Sequence, residues 1–189
     1  TTVKTIYFDC LSGASGDMLL GALVDLGLDV DRLREELRKL PIDGYRIETR
    51  RVDRSALSAT KVDVIVGDRV EGPGGSVHSH THEHDHVHDH THTHSHAPLH
   101  HEDVANDPSD ESHSKSLPEI LQLIESSSLS LLTKERASLA FRRLGDAEAT
   151  AHGSTPDTVH FHEVGAVDAI VDIVGAMAAF EILGIERFL

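Results

Sequence analysis

One cysteine, Cys10, stands in the whole chain, so no internal disulfide can form. A lone thiol fits a reducing compartment and is expected as a small buried side chain. Tryptophan is absent and aromatics make up only 4% of the residues, which leaves Leu, Val, Ile and Ala to fill a core. No stretch approaches the roughly 18 apolar residues of a membrane span. The amino end lacks the basic, apolar and small-residue layout of a secretory signal. The expected location is the cytoplasm, with no membrane partner. Lys and Arg number 17 against 32 Asp and Glu, a formal charge of -15 with His neutral. Phosphate contacts need clustered cationic side chains, so nucleic acid is not an expected partner.

What remains is enough for one domain, or two small ones, with a real core: 189 residues, 39% of them hydrophobic. Val3, Ile6, Tyr7 and Phe8 form a β-prone run, and Met18 to Leu26 read as a buried helix. Leu33, Leu37 and Leu40 recur at helical spacing before Pro41. Tyr45, Ile47 and Val52 suggest a strand, and the alternation of Val62, Val64 and Val66 another, with residues 55–60 as their connection. Arg50, Arg51 and Arg54, near that connection, fit solvent-facing arginines better than phosphate ligands. Beyond Leu117 and Pro118 lie a helix ending at Ser126, a second one capped by Thr133 and stopped by Gly153, and a third from Gly165 onward. The fold expected is α+β or α/β, a small sheet of three or four strands flanked by helices. Residues 1–71 and 117–189 are its two parts, and residues 72–116 a disordered insertion too poor in apolar side chains to fold.

Three stretches carry chemistry. The first joins the opening strand to its helix: Asp9, Cys10, Leu11, Ser12, Gly13, Ala14, Ser15, Gly16, Asp17, Met18. Glycines allow close approach of a ligand, Ser and Asp cap helix starts, and a helix N-terminus attracts anions. Ser12, Gly13, Ser15 and Gly16 are therefore candidate nucleotide contacts, and Asp9 and Asp17 candidate holders of a hard divalent ion. The spacing matches neither common phosphate-loop pattern, and such a turn is also often only a tight connection.

The second stretch is the most conspicuous. Every second residue over 19 positions is histidine: His78, His80, His82, His84, His86, His88, His90, His92, His94 and His96. Imidazole suits Ni²⁺, Cu²⁺ and Zn²⁺, and alternate side chains of an extended segment fall on one side. This tract binds late transition metals, as a store, a delivery device or an incidental spacer. A flexible tract is a poor catalytic centre because its ligands are not preorganised.

The third is His160, Phe161, His162, Glu163, Val164, Gly165, Ala166, Val167, Asp168, Ala169, Ile170, Val171, Asp172. Two imidazoles flank Phe161, and Asp168 and Asp172 share a helical face, where like charges call for a compensating cation or donor. His160, His162, Glu163, Asp168 and Asp172 can hold a divalent metal or move a proton.

Together the Tyr7 to Met18 motif, the His-rich insertion and the His160 to Asp172 motif resemble the LarC family of nickel-insertion proteins, over essentially the whole chain. The resemblance implies insertion of Ni²⁺, as substrate, into pyridinium-3,5-bisthiocarboxylic acid mononucleotide, giving a nickel-pincer nucleotide with a carbon–nickel bond. It implies a chelatase or cyclometallase of the lyase class that uses CTP and Mn²⁺ or Mg²⁺. Family members look roughly twice as long, so the chain is expected to be an N-terminal half. The C-terminal half, the lactate racemase apoenzyme and further copies of the chain are the expected partners. Two other classes fit the residues: a non-catalytic nickel chaperone or store, and a Mg²⁺-dependent phosphohydrolase built on Asp9.

Overall fold

The computed structural model describes residues 3–10, 13–54, 56–67, 115–156, 161 and 166–189, without the side chain of residue 54. The insertion expected at 72–116 lies outside them apart from Lys115 and Ser116. The order is β1 (Thr5–Ile6), α1 (Gly16–Asp25), α2 (Val30–Leu37), β2 (Tyr45–Arg54), β3 (Leu57–Val66), α3 (Leu117–Ser126), α4 (Leu131–His152), α5 (Val167–Ile182) and β4 (Arg187–Phe188).

α5 is the centre. Apart from Asp168, Asp172 and Glu181 it is uncharged, and Ile170, Val171, Val174, Ala176, Ala178, Ala179 and Phe180 are all buried, as expected of a largely apolar helix. α1, α2 and α4 pack directly on it, α3 packs on α4, and the β2–β3 hairpin lies against α1 and α5. The small residues of α5 permit this crowding. A methyl at Gly175 would meet Leu37 of α2 and Leu20 of α1 at 3.4 and 3.5 Å. Polar links then fix the layers. Arg34 donates from two nitrogens to the Ile47 carbonyl, and the Tyr45 hydroxyl to the Leu37 carbonyl. Both tie α2 to β2.

The sheet is smaller than the three or four strands expected. β2 and β3 form an antiparallel ladder from Tyr45↔Val66 to Arg54↔Leu57, and β1 and β4 a separate parallel pair of two residues each. α1 crosses β3 so closely that a side chain on Gly21 would collide with the Thr60 carbonyl. The outward Thr60 N–H, which another strand would have taken, goes to the Asp25 carboxylate at 2.9 Å. Asp25 also accepts from the Thr60 hydroxyl at 2.7 Å and pairs with Arg51 at 2.6 Å. These donors, the Thr60 hydroxyl first, hold its carboxyl below the ordinary value.

Two boundaries also differ from expectation. Residues 57–60 belong to β3 rather than to the connection, because Ala56 takes the left-handed conformation (φ 66°) that closes the turn. α4 begins at Leu131 under the Ser130 cap, and Thr133 is buried with its hydroxyl on Glu181 of α5 at 2.7 Å. Ser130 also donates to the Glu181 carboxylate, and its Oγ caps the helix by accepting from the Thr133 N–H at 3.0 Å.

A Gly21→Ala variant is expected to lose about 1–3 kcal/mol in urea unfolding by overpacking, although alanine is the better helix former. Gly145→Ala, whose methyl would press only on the tip of the Leu117 side chain, is the tolerated control.

Candidate functional site

Two stretches more than 150 residues apart meet at the start of α1. A Cβ built on Gly16 would stand 2.5 Å from the Asp172 Cβ and 2.6 Å from its Oδ2. The turn's last glycine thus makes room for a carboxylate of α5. The Asp172 side chain is half-buried, and its Oδ1 has no hydrogen-bond partner among the described residues. Burial raises its carboxyl to about 7, reinforced by the charges of Asp17, Asp168 and Asp63. The positive end of α1, against which the carboxylate lies, acts in the opposite direction.

The other expected residues fall around this contact. Asp17 accepts from the Ser15 hydroxyl and, at 2.8 Å, from the Met18 N–H. Ser15 is the N-cap residue of α1, yet its side chain makes no cap bond to the backbone. Gly13 has φ 80°, and its N–H donates to the Cys10 carbonyl at 3.2 Å, so this amide is already used in closing the turn. Asp168 lies exposed in the first turn of α5 and accepts from the Ala169 N–H at 2.9 Å. Asp9 follows β1, exposed, on the wall of a neighbouring cleft. It is not among the charges that shift Asp172.

Asp63, on β3, was not singled out in the sequence; a polar residue in an alternating strand carries no other mark. Burial would raise its carboxyl, but hydrogen bonds from Lys61 and Arg50 hold it below the ordinary range. Cys10, expected buried, is exposed, because β1 stops at Ile6 and the chain leaves the core before reaching it. Arg50 and Arg51 pair with Asp63 and Asp25.

Ser12, His160, His162, Glu163 and the ten tract histidines, His78 to His96, lie outside the described residues. Phe161, between the two motif histidines, is fully buried, close to Gly145 of α4. Among the described residues no three His, Cys, Asp or Glu side chains converge as metal ligands. No described helix is long and apolar enough to cross a membrane. The arrangement is thus a half-buried carboxylate of raised pKa within the field of Asp17, Asp168 and Asp63, suited to take up a proton near neutral pH.

The sequence pattern of the nickel insertion proteins matches residues 6–189. The chain is 40% identical over 184 residues to a putative nickel insertion protein of Roseiflexus castenholzii, covering 97% of this chain and 36% of that one. It is 38% identical over 184 residues to the pyridinium-3,5-bisthiocarboxylic acid mononucleotide nickel insertion protein of Geobacillus kaustophilus, and 36% over 185 to that of Akkermansia muciniphila. Each of these two alignments spans 97% of this chain and 37% of the relative. No solved structure matches. The chain belongs to the nickel insertion protein family. It spans about a third of the length of these relatives, rather than the half expected.

The raised Asp172 carboxyl has a thermodynamic signature. An acid whose folded value (about 7) exceeds its unfolded value of about 3.9 binds more protons in the folded state between them, so its contribution to stability falls as pH rises. Asp172→Asn is therefore expected to be more stable than the parent above pH 7. The difference shrinks as pH falls toward 4, read as the gap in urea midpoints across that range.

Proposed function

We propose that this chain acts in inserting Ni²⁺ into a pyridinium-3,5-bisthiocarboxylic acid mononucleotide, as a lyase-class chelatase, together with the remaining part of the longer family proteins. CTP and Mn²⁺ or Mg²⁺ are used with that part, and the lactate racemase apoenzyme receives the product. Residues 1–71 and 117–189 make the folded unit, and residues 72–116 collect Ni²⁺ and raise its local concentration.

The observation that supports this reading is the contact of Gly16 with Asp172, which joins the two motifs of the family resemblance at one place. The cluster of Asp17, Asp168, Asp172 and Asp63 draws Ni²⁺ toward it. His160, His162 and Glu163, directly ahead of α5 in sequence, supply imidazole and carboxylate ligands for the transfer. As the carbon–nickel bond forms, the ring C–H bond breaks and its proton goes to Asp172, a carboxylate poised near neutral pH. The same acids disfavour a phosphate at the start of α1. Ser12, Gly13, Ser15 and Gly16 therefore contact the ring and ribose rather than the phosphate, and Asp9 borders that turn. A phosphohydrolase built on Asp9 has less support, since Asp9 lines the neighbouring cleft and is not among the charges that shift Asp172.

The test is Ni²⁺ calorimetry on the full chain and on a variant with the ten tract histidines changed to asparagine. A site of defined stoichiometry is expected to survive in the variant and to vanish with His160→Ala and His162→Ala. If all binding goes with the tract, the chain is a nickel collector. In the reconstituted insertion reaction, Asp172→Asn is expected to slow product formation by about 10²-fold or more while Ni²⁺ binding persists.

A further inference from the structure

Among the described residues β1 pairs with β4 alone, on one of its two edges. Lys4 and Ile6 turn their carbonyls toward β4, accepting from Glu186, Arg187 and Leu189, and Phe8 donates to Leu189 at 2.8 Å. Successive residues of a strand alternate in direction, so Tyr7 turns the other way. Neither its N–H nor its carbonyl makes a backbone hydrogen bond among the described residues. Parallel pairs of two residues are far below the size at which sheets are stable, and parallel sheets are normally covered on both faces.

Beside Tyr7 lies a cleft of about 460 Å³ between residues 6–10 and the outer face of α1. Its floor includes Leu19 and Leu23, and Asp9 is the one charged residue lining it. Tyr7 is 71% exposed, Met18 60% and Leu26 64%, and all three line it. Leu189, 57% exposed, continues the apolar surface past Phe8. Contiguous apolar exposure next to a free strand edge is the pattern of strand addition, in which main-chain bonds hold the incoming segment and pockets take its alternate side chains.

We propose that the main chain of Tyr7, just past β1, and the adjoining cleft against α1 receive an extended apolar segment from the rest of the longer family proteins. This rests on the reading that the chain works with that remaining part. The relatives carry nearly two-thirds of their length outside the matched region, which covers 36–37% of them. Asp9 being the one charged residue in its lining, the cleft suits an apolar polypeptide, with Gly13 at the end shared with the turn before α1.

The test replaces the matched 184 residues of the Geobacillus kaustophilus relative with this intact chain and follows amide hydrogen exchange at residues 5–10. Exchange is expected to be about tenfold or more slower in the chimera than in the chain alone. Met18→Glu and Leu26→Glu, both on exposed positions, are expected to restore fast exchange. Leu139→Glu, exposed on α4 and outside the cleft, is expected to leave the protection intact. Equal exchange in chimera and free chain overturns the proposal. So does protection in the free chain that grows with its concentration, which would assign the edge to a second copy. Nickel insertion by the chimera is scored separately: protection without insertion keeps this interface and removes the proposed function, and insertion without protection does the reverse.

Discussion

Everything in this fold that matters to the site depends on how closely α1 can approach its neighbours. Two missing side chains allow it. Gly16 admits the Asp172 carboxylate of α5, and Gly21 admits the Thr60 carbonyl of β3. Close packing transmits small changes in volume, so a single methyl at either place must move a backbone or a carboxylate. The Asp25–Thr60–Arg51 network then fastens the far end of α1 to the hairpin. Core packing and site assembly are one event here, since the contact that seats the helix also buries the acid.

That acid is kept in an unfavourable place. Asp172 is half withdrawn from water and feels the like charges of Asp17, Asp168 and Asp63, and one of its oxygens lacks a partner among the described residues. Such an arrangement weakens a fold unless a proton or a cation relieves it. Groups of this kind are concentrated at functional sites, in agreement with a family that handles a divalent metal. The surrounding helices carry the cost, because α5 buries Ile170, Val171, Val174 and Ala176 on either side of Asp172.

Much of this was legible in the sequence. The amphipathic and buried helices followed from the spacing of Leu33 and Leu37 and from the apolar run of α5, and the β3 strand from alternating valines. The close packing at Gly175 followed from its small neighbours. What stayed hidden had no local signal. β4 is two residues long and has no period to read. The hairpin turn uses Ala56 at positive φ, where glycine or asparagine would have announced it. Thr133 and Ser130 both suit a cap, serine somewhat better, and the burial of Thr133 against Glu181 of another helix has no local mark. At the site, Asp168 and Asp172 are alike by spacing. Their difference, one exposed and one half-buried, comes from where α1 lands. Asp63 joins them only through the path of β3.

The five-residue interval between Gly16 and Gly21 has a geometric consequence. An α-helix advances about 100° per residue, so the two glycines lie about 140° apart around the axis. One faces α5 and the other β3, and the helix is wedged in azimuth as well as in position. A single residue inserted between them would turn one contact out of phase while leaving the apolar pattern nearly intact. Sequence change along α1 is therefore constrained in length as well as at the two glycines: the positions between them can vary, but their count cannot drift.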